Sequence, residues 1–318
     1  MLEVLLTVRS VKNAFVPINR IPPDVLCLLP DYCDADEELI KLTHVCRGWR
    51  EIFVSRASLW TFLDCTDPDK TRVYLERSKK SPLEIWLKEG EYTRNLGDTF
   101  LLTVPHTNRF KAVTLSGSPN NILKVTKHFC SPAPLLEKLV IHIRDTQAAP
   151  IEITLFGGNL QSLRELRLHE VRTDLPWKNL SNLTTFDLRW VSNTTVTQLL
   201  DFFERAPLLS KIKLVDTLLD SSSVPDERVV SLLHLKSLRI DGQPVHSILL
   251  NHLHLPTHAT LMLGFDFGDE NSPLPHRLPR SLDNLDNISH IPCAYLDFRI
   301  GIAMGLGGPT GGLYVAGV

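Results

Sequence analysis

Histidines, glycines and cysteines are the residues through which this sequence could carry chemistry, and their spacing is where each candidate weakens. His252, His254 and His258 form H-x-H-x3-H, a spacing that could hold a metal ion. Pro256 interrupts the helix that would align them, and no cysteine or carboxylate cluster lies near, so they read as ordinary loop or strand histidines. The run Gly305-Leu306-Gly307-Gly308-Pro309-Thr310-Gly311-Gly312 has the look of a phosphate-cradling loop. It lacks the Gly-Lys-Ser/Thr ending, and no helix pattern follows it to supply a dipole. The six cysteines, Cys27, Cys33, Cys46, Cys65, Cys130 and Cys293, contain no C-x-x-C pair, which argues against a zinc site and against a disulfide framework. No G-x-S-x-G, H-E-x-x-H or kinase-like set of residues occurs. The expectation is a chain without catalytic residues, cofactor or metal, whose work is recognition.

Composition narrows what is recognised. The 318 residues are 43% hydrophobic and 22% charged, with a net charge of −2 and both signs interspersed, so nothing electrostatic favours nucleic acid or a membrane surface. Residues 1–17 hold a short apolar run broken by Arg9 and Lys12, too short for a signal peptide or a membrane span, and read as a loose leader. The sequons at Asn182, Asn193 and Asn287 are then chance matches, and the expected location is cytoplasmic or nuclear.

Two kinds of element would position a recognition surface. In residues 18–63, Pro22 and Pro23 start a short helix that Pro30 stops, with Val25, Leu26 and Leu29 on one side. Asp34 to Glu38 then open a second helix, whose apolar residues Leu39, Leu42, Val45, Cys46, Trp49, Ile52 and Phe53 recur at three- and four-residue steps. Ser58-Leu59-Trp60 adds a third short element. About 45 residues bury too little surface to stand alone, so this unit is expected to leave an apolar surface for a partner. Residues 64–81 follow as a connector, helical around Lys70 to Ser78.

Residues 82–300 repeat. The frame L-x-x-L-x-L appears as Phe110-Val113-Leu115, Leu136-Leu139-Ile141, Leu163-Leu166-Leu168, Leu183-Phe186-Leu188, Leu209-Ile212-Leu214 and Leu235-Leu238-Ile240, with starts 26, 27, 20, 26 and 26 residues apart. Weaker copies sit at Leu83-Ile85-Leu87, Leu261-Leu263 and Tyr295-Phe298-Ile300. The x-L-x-L alternation predicts a half-buried strand in each repeat, with return helices at 120–128, 194–205 and 246–253. The spacer between Leu168 and Leu183 is too short for a helix and predicts an extended or single-turn return. No Asn or Cys follows L-x-L by three residues, as His169-Glu170-Val171 and Val215-Asp216-Thr217 show, so the side-chain ladder usual in such repeats is missing. The tail, 301–318, holds seven of the sixteen glycines and no charge. It reads as a poorly ordered end at which a repeat array is cut short, leaving an exposed edge strand.

The order of pieces in 18–63, an Ile21-Pro22 opening, Val25-Leu26, then Val45-Cys46-Arg47-x-Trp49-Arg50 and Leu59-Trp60, resembles an F-box. Followed by leucine-rich-repeat-like frames, and with segments such as DKTRVYLERSKKSPL and VTQLLDFFERAPLL, it is similar to a group of fungal F-box proteins over residues 18–300. The resemblance implies an α/β fold, a small helical F-box followed by an irregular leucine-rich-repeat solenoid with a parallel strand per repeat. It also implies a substrate-recognition subunit of an SCF-type ubiquitin ligase, not itself an enzyme, bound to a Skp1-type adaptor and through it to a cullin-RING ligase. Ile21, Pro22, Val25, Leu26, Leu29, Val45, Cys46, Trp49, Leu59 and Trp60 would face or support the adaptor, with Arg47 and Arg50 as a polar rim and Trp49 and Pro22 as the expected anchors. The alternative is an interaction scaffold with an F-box outside any ligase. The protein substrate would meet the outward strand positions (Glu137, Lys138, Arg164, Glu165, Arg167, Arg189, Trp190, Lys211, Lys213, Lys236 and Arg239). Their basic lean points to an acidic or phosphorylated partner, the alternative being an ordinary solvated face.

Overall fold

The computed structural model describes residues 4, 7–8, 11–13, 15–32, 36–89, 96–144, 156, 160–171, 180–191, 194–217, 219–220, 228–242, 245–266, 294–299 and 310–316. The chain is α/β and divides into two compact units, Met1–Lys111 and Ala112–Val318. The boundaries expected at 63 and 81 both fall inside the first unit.

In the first unit, α1 (Pro23–Leu26) begins after Pro22, as the two prolines dictate, and a 3-10 turn (Leu29–Tyr32) takes up Pro30. The long second helix expected from the apolar spacing is two helices, α2 (Asp36–Leu42) and α3 (Arg47–Ser55). The chain tightens between them: Thr43, His44 and Val45 donate to carbonyls three residues back, the Thr43 hydroxyl bonds the Ile40 carbonyl at 2.7 Å, and Cys46 is fully extended (φ −158°, ψ 172°). Apolar residues continue at helical steps through this break, which is why the pattern hides it.

A 3-10 turn (Ala57–Trp60) leads into β1 (Phe62–Leu63), α4 (Pro68–Arg77), β2 (Leu83–Lys88) and α5 (Leu96–Leu101). β1 and β2 pair in parallel. Helix α4 is the expected connector helix. Asp67 caps it by accepting from the Asp69 and Lys70 N–H groups at 2.8 and 2.9 Å. Its C-terminus is tied down by buried Arg109, which donates to Ser78 Oγ at 2.7 Å and to the Ser81 carbonyl at 2.9 Å.

The second unit opens within β3 (Phe110–Gly117), from Ala112 on, and continues with α6 (Pro119–Thr126), β4 (Lys138–Ile143), β5 (Glu165–His169) and β6 (Thr185–Arg189). Short β7 (Thr194–Thr195) leads into α7 (Val196–Arg205), then β8 (Lys211–Val215), β9 (Leu219–Asp220), β10 (Val230–Ser231) and β11 (Ser237–Gly242). Helix α8 (Val245–Asn251), β12 (Leu253–His254) and β13 (Thr260–Asp266) complete the parallel part. The order β3-β4-β5-β6-β8-β11-β13 is parallel throughout. The short strands pair separately, β7 with β9 and β10 with β12. The three return helices thus fall where the sequence placed them, while the spacer at 172–179 lies outside the described residues.

Register explains why the frame repeats. Leu139, Leu166, Phe186, Ile212, Leu238 and Leu261 are successive cross-strand partners, and so are Ile141, Leu168, Leu188, Leu214, Ile240 and Leu263. Both rows are buried. The first leucine of each frame closes a turn before the strand: Leu163 donates to Leu160, Leu183 to Leu180, Leu209 to Ala206 and Leu235 to Leu232, at 3.0–3.2 Å. Every such aliphatic side chain is worth about 1.5–3 kcal/mol of burial, so a unit that is marginal alone is stabilised by its neighbours.

A backbone ladder stands where an asparagine ladder is absent. Glu170, Trp190 and Asp216, each one residue beyond its strand, are left-handed at φ 59°, 51° and 46°. Their N–H groups donate to the carbonyls of Arg189, Val215 and Asp241 on the next strand at 2.8–2.9 Å. The following residues, Val171, Val191 and Thr217, turn inward and are buried. Helix α7 carries a capping box between Thr195 and Gln198, and its Phe202 ring lies 4.6 Å from that of Phe186.

The tail departs from expectation. β14 (Ala294–Arg299), the weak Tyr295-Phe298-Ile300 frame, is not another parallel repeat. It pairs antiparallel with β15 (Thr310–Ala316), which pairs antiparallel with β13. The array edge at β13 is therefore paired by a strand from the glycine-rich segment, whose Leu313-x-Val315 alternation is short but sufficient. Of the glycine run, residues 305–309 lie outside the described residues, and Thr310, Gly311 and Gly312 belong to this strand.

Candidate interaction surfaces

In the first unit the ten residues singled out by the sequence separate by depth. Leu26, Trp49 and Trp60 are buried; Ile21, Leu29, Cys46 and Leu59 are half-buried; Pro22, Val25 and Val45 are exposed. Trp49 and Trp60, expected to face or support the adaptor with Trp49 as an anchor, are both inside, 5% and 0% exposed.

The reason lies beyond residue 63. The Trp60 ring packs edge-on against Tyr74 of α4 at 4.9 Å, the Arg77 guanidinium covers it at 4.3 Å, and its indole N–H donates to the Phe53 carbonyl at 2.9 Å. The connector helix therefore closes the core that the first helices cannot close themselves. Trp49 Nε1 donates to Asn19 Oδ1 at 2.6 Å, and Asn19 donates in turn to the Asn13 carbonyl at 2.7 Å, fixing the Pro17–Arg20 turn. The Arg56 guanidinium bonds the Asp24 carboxylate, tying α1 to the end of α3.

What this packing leaves outside is still apolar. Val25, Leu28 and Val45 are 51%, 51% and 56% exposed, and Phe15, Val16, Ile18 and Tyr32 are exposed as well. Val25 and Leu28 stand one turn apart, the Leu28 N–H bonding the Val25 carbonyl. The sequence reading chose Leu26 and Leu29 as Val25's companions; the structure turns Leu26 inward and puts Leu28 outside. Phe15 and Val16 fall in the stretch that reads as leader, although two large apolar residues directly before Pro17 are a visible signal. Arg47 and Arg50 are both exposed. Cys65 is buried at φ 51°, and burial, with the Asp64 charge, pushes its thiol up to about 12, so it is an inert packing group.

In the second unit the outward strand positions form rows. One runs Val140, Arg167, Asp187, Lys213, Arg239 and Met262; its neighbour runs His142, His169, Arg189, Val215, Asp241 and Gly264. Most of the charges are internally paired. Arg189 donates to both oxygens of Asp187 at 2.9 and 2.7 Å, and Arg239 Nε donates to Asp241 at 2.6 Å. Glu165 lies 3.5 Å from Lys138 and 2.6 Å from Arg167 Nε, the latter contact lacking hydrogen-bond direction.

Asp187 is buried, which alone would raise its carboxyl, but the bonds from Arg189 and the His169 imidazole 3.8 Å away outweigh burial and hold it well below the usual carboxylate range. His142 and His169 lie ring edge to ring at 5.5 Å, and burial together with the neighbouring imidazole lowers His142. Lys211 and Lys213 have no carboxylate within 4 Å among the described residues. Lys213, half-buried, is lowered first by burial and then by Arg189 and Arg239. Of the basic residues read from the sequence, Lys138, Arg167, Arg189 and Arg239 lie against Glu165, Asp187 and Asp241, which leaves Arg164, Lys211, Lys213 and Lys236 with no carboxylate within 4 Å among the described residues.

The histidine trio does not converge. His252 is buried with Nδ1 2.7 Å from the Arg228 carbonyl, His254 on β12 pairs with Ser231 of β10, and His258 is exposed. Among the described residues no group of three or more His, Cys, Asp or Glu could hold a metal ion, and no helix is long and apolar enough to cross a membrane. No model of a known protein family matches the chain, and no curated protein matches it.

Proposed function

We propose that this chain is a substrate-recognition subunit of an SCF-type ubiquitin ligase. The short helices of the first unit act as an F-box and dock a Skp1-type adaptor, which links to a cullin and a RING subunit. The second unit acts as a leucine-rich-repeat-like solenoid that holds the target protein. Ubiquitin transfer takes place on the other subunits, and this chain contributes proximity by raising the effective concentration of the target.

The observation that carries the reading is the exposure of Val25 in α1, of Leu28 just after it and of Val45 in the turn between α2 and α3, beside a core that is already complete. An apolar group left outside a finished core calls for a partner. Leu26, Trp49 and Trp60 then support the docking face from beneath. Ile21, Pro22, Val25, Val45 and the exposed Leu28 form the face itself, rimmed by Arg47 and Arg50.

Co-purification with a Skp1-type adaptor tests this. The Val25→Asp, Val45→Asp double variant alters no buried side chain and is expected to lose the adaptor while keeping its unfolding midpoint. Full retention of the adaptor would sink the assignment. Recovery of the adaptor without a cullin would instead favour a scaffold that works outside a ligase.

A further inference from the structure

Successive repeats of the second unit enter their strands through the same turn, so the turns compare position by position. In 133–136, 160–163, 180–183, 206–209, 232–235 and 256–259 the N–H of the fourth residue donates to the carbonyl of the first at 3.0–3.2 Å. The two central residues of each turn are exposed, except that Ser162 is half-buried. In the second and third turns they are polar and lace one turn to the one before: Ser162 Oγ donates to the Pro134 carbonyl at 2.6 Å, and Asn182 Nδ2 to the Gln161 carbonyl at 2.7 Å. The turn itself therefore does not demand apolar side chains. On the neighbouring strands β8 and β11 the same positions nevertheless hold Pro207, Leu208 and Leu233, the leucines being 44% and 64% exposed. Lys236 and Ser237 both donate to the Ser210 carbonyl, at 2.8 and 3.1 Å, which holds these two turns side by side. Proline suits the second position of such a turn, but nothing in the fold asks for the leucines.

The rim of this apolar edge is basic. Arg205, Lys211 and Lys236 are exposed and have no carboxylate within 4 Å among the described residues. The acids nearest along the chain, Asp201 and Glu204, are both engaged by Arg228 at 2.6 and 3.0 Å.

We propose that this turn edge, Pro207, Leu208 and Leu233 rimmed by Arg205, Lys211 and Lys236, binds a short acidic segment of a partner protein through aliphatic side chains of that segment. Size and charge select this occupant. Ser181-Asn182 on one side and Thr257-His258 on the other bound the edge, so it is two turns wide, roughly 5–10 Å at strand spacing, room for one or two side chains. A second copy of the chain would bring Arg205, Lys211 and Lys236 against their own like charges. A bilayer asks for a wide face with aromatic side chains at its border, and the turns here hold none. An acidic peptide compensates the three cations while its aliphatic side chains cover the leucines, the usual division between an apolar centre and a charged rim. The inference goes beyond the adaptor reading and does not depend on it.

The test uses the full chain immobilised and three peptide libraries with identical randomised flanks. The first has two leucines among glutamates, the second replaces the glutamates by lysines, and the third replaces the leucines by serines. The wild type is expected to retain the first at least about tenfold over the third, and about fivefold or more over the second. Leu208→Ser, Leu233→Ser, which alters no buried side chain, is expected to lose that retention. Leu135→Ser, at the same turn position beyond the two polar turns, is expected to keep it within about twofold. Arg205→Gln, Lys236→Gln is expected to bring the glutamate and lysine libraries within about twofold of each other. Thermal unfolding of each variant checks that the fold is intact. Equal retention of the three libraries, no retention by the wild type, or retention that survives in Leu208→Ser, Leu233→Ser overturns the proposal. So does a wild-type dimer that this double variant dissolves, or binding to phosphatidylserine vesicles that it abolishes while the peptides stay unbound. Adaptor pull-down on the same preparations keeps the two readings apart: a chain that binds the adaptor but none of the peptides sinks this inference alone, and the converse sinks the F-box assignment alone.

Discussion

The two units solve the problem of an unsupported apolar surface in opposite ways. In the second, each strand presents its leucines to the same register position on the next, so Leu166 meets Phe186 and Phe186 meets Ile212, and the outward face is polar. In the first, one helix closes one core: Tyr74 and Arg77 of α4 cover Trp60, and the outward face at Val25, Leu28 and Val45 stays apolar. A repeated interface spreads burial over many similar contacts and frees its surface for polar recognition. A single closure concentrates burial on a few aromatic rings and leaves helices too short to hide both their sides.

The sharpest way to break that contrast is to remove a ring. Trp60→Ala deletes a fully buried indole together with its bond to Phe53 and its contacts with Tyr74 and Arg77, and is expected to cost about 3–5 kcal/mol. Near-ultraviolet circular dichroism and urea unfolding would report it as loss of the first unit's tertiary signal. A loss under about 1 kcal/mol would mean that α4 does not close this core. Trp49→Ala belongs to the same class, so it does not discriminate between lost binding and lost folding.

The Val25→Asp, Val45→Asp double variant comes next, because it touches the outward side only. Stability is expected to stay within about 0.5 kcal/mol of the wild type, while adaptor affinity falls by about tenfold or more. Calorimetric titration against the adaptor measures the second and urea unfolding the first. A large stability loss with unchanged affinity would place these valines in the core and erase the difference between the two units.

The repeats were legible because alternation with a fixed spacing is a local signal restated in every unit. Leu166 and Leu168 say what Leu238 and Ile240 say again. The first unit's depth was not legible, since the cover of Trp60 comes from a helix the sequence marks only as a connector. A four-residue helix such as α1 has too few turns for periodicity to decide whether Val25 or Leu26 faces inward. The break before α3 is hidden for the related reason that Leu42, Val45 and Trp49 keep helical spacing across a stretch that tightens and then extends. On the strand face, residue types announced positive charge, but only the register and the folded-back arginines showed which cations are paired.

Smaller effects probe the polar side of the comparison. Asp187→Asn leaves the Arg189 fork without its carboxylate and is expected to cost about 1–3 kcal/mol at neutral pH. The Asp187 carboxyl is depressed in the folded state, so its contribution is present above the unfolded carboxyl value of about 3.9 and is lost as pH falls below it. Urea midpoints of wild type and variant should therefore converge below about pH 4. A gap that persists in acid would show that the bond's charge is not what stabilises this face.

Lys213→Met is expected to give the smallest change, and of opposite sign. Burial and the charges of Arg189 and Arg239 disfavour the Lys213 ammonium, and these outweigh the pull of Asp187 and Asp241. Replacing it with an apolar chain of similar length removes that strain, which solvent screening keeps small, so stability from urea unfolding should rise by about 0.5 kcal/mol or less with an unchanged slope. Lys211→Met, at an exposed position, should leave the midpoint where it is. A recognition residue kept against stability is what a binding face predicts and what a self-sufficient ladder of ion pairs does not. If Lys213→Met instead lowers stability by about 1 kcal/mol or more, the lysine is part of the scaffold, and the polar rows of the second unit are packing just as the rings of the first unit are.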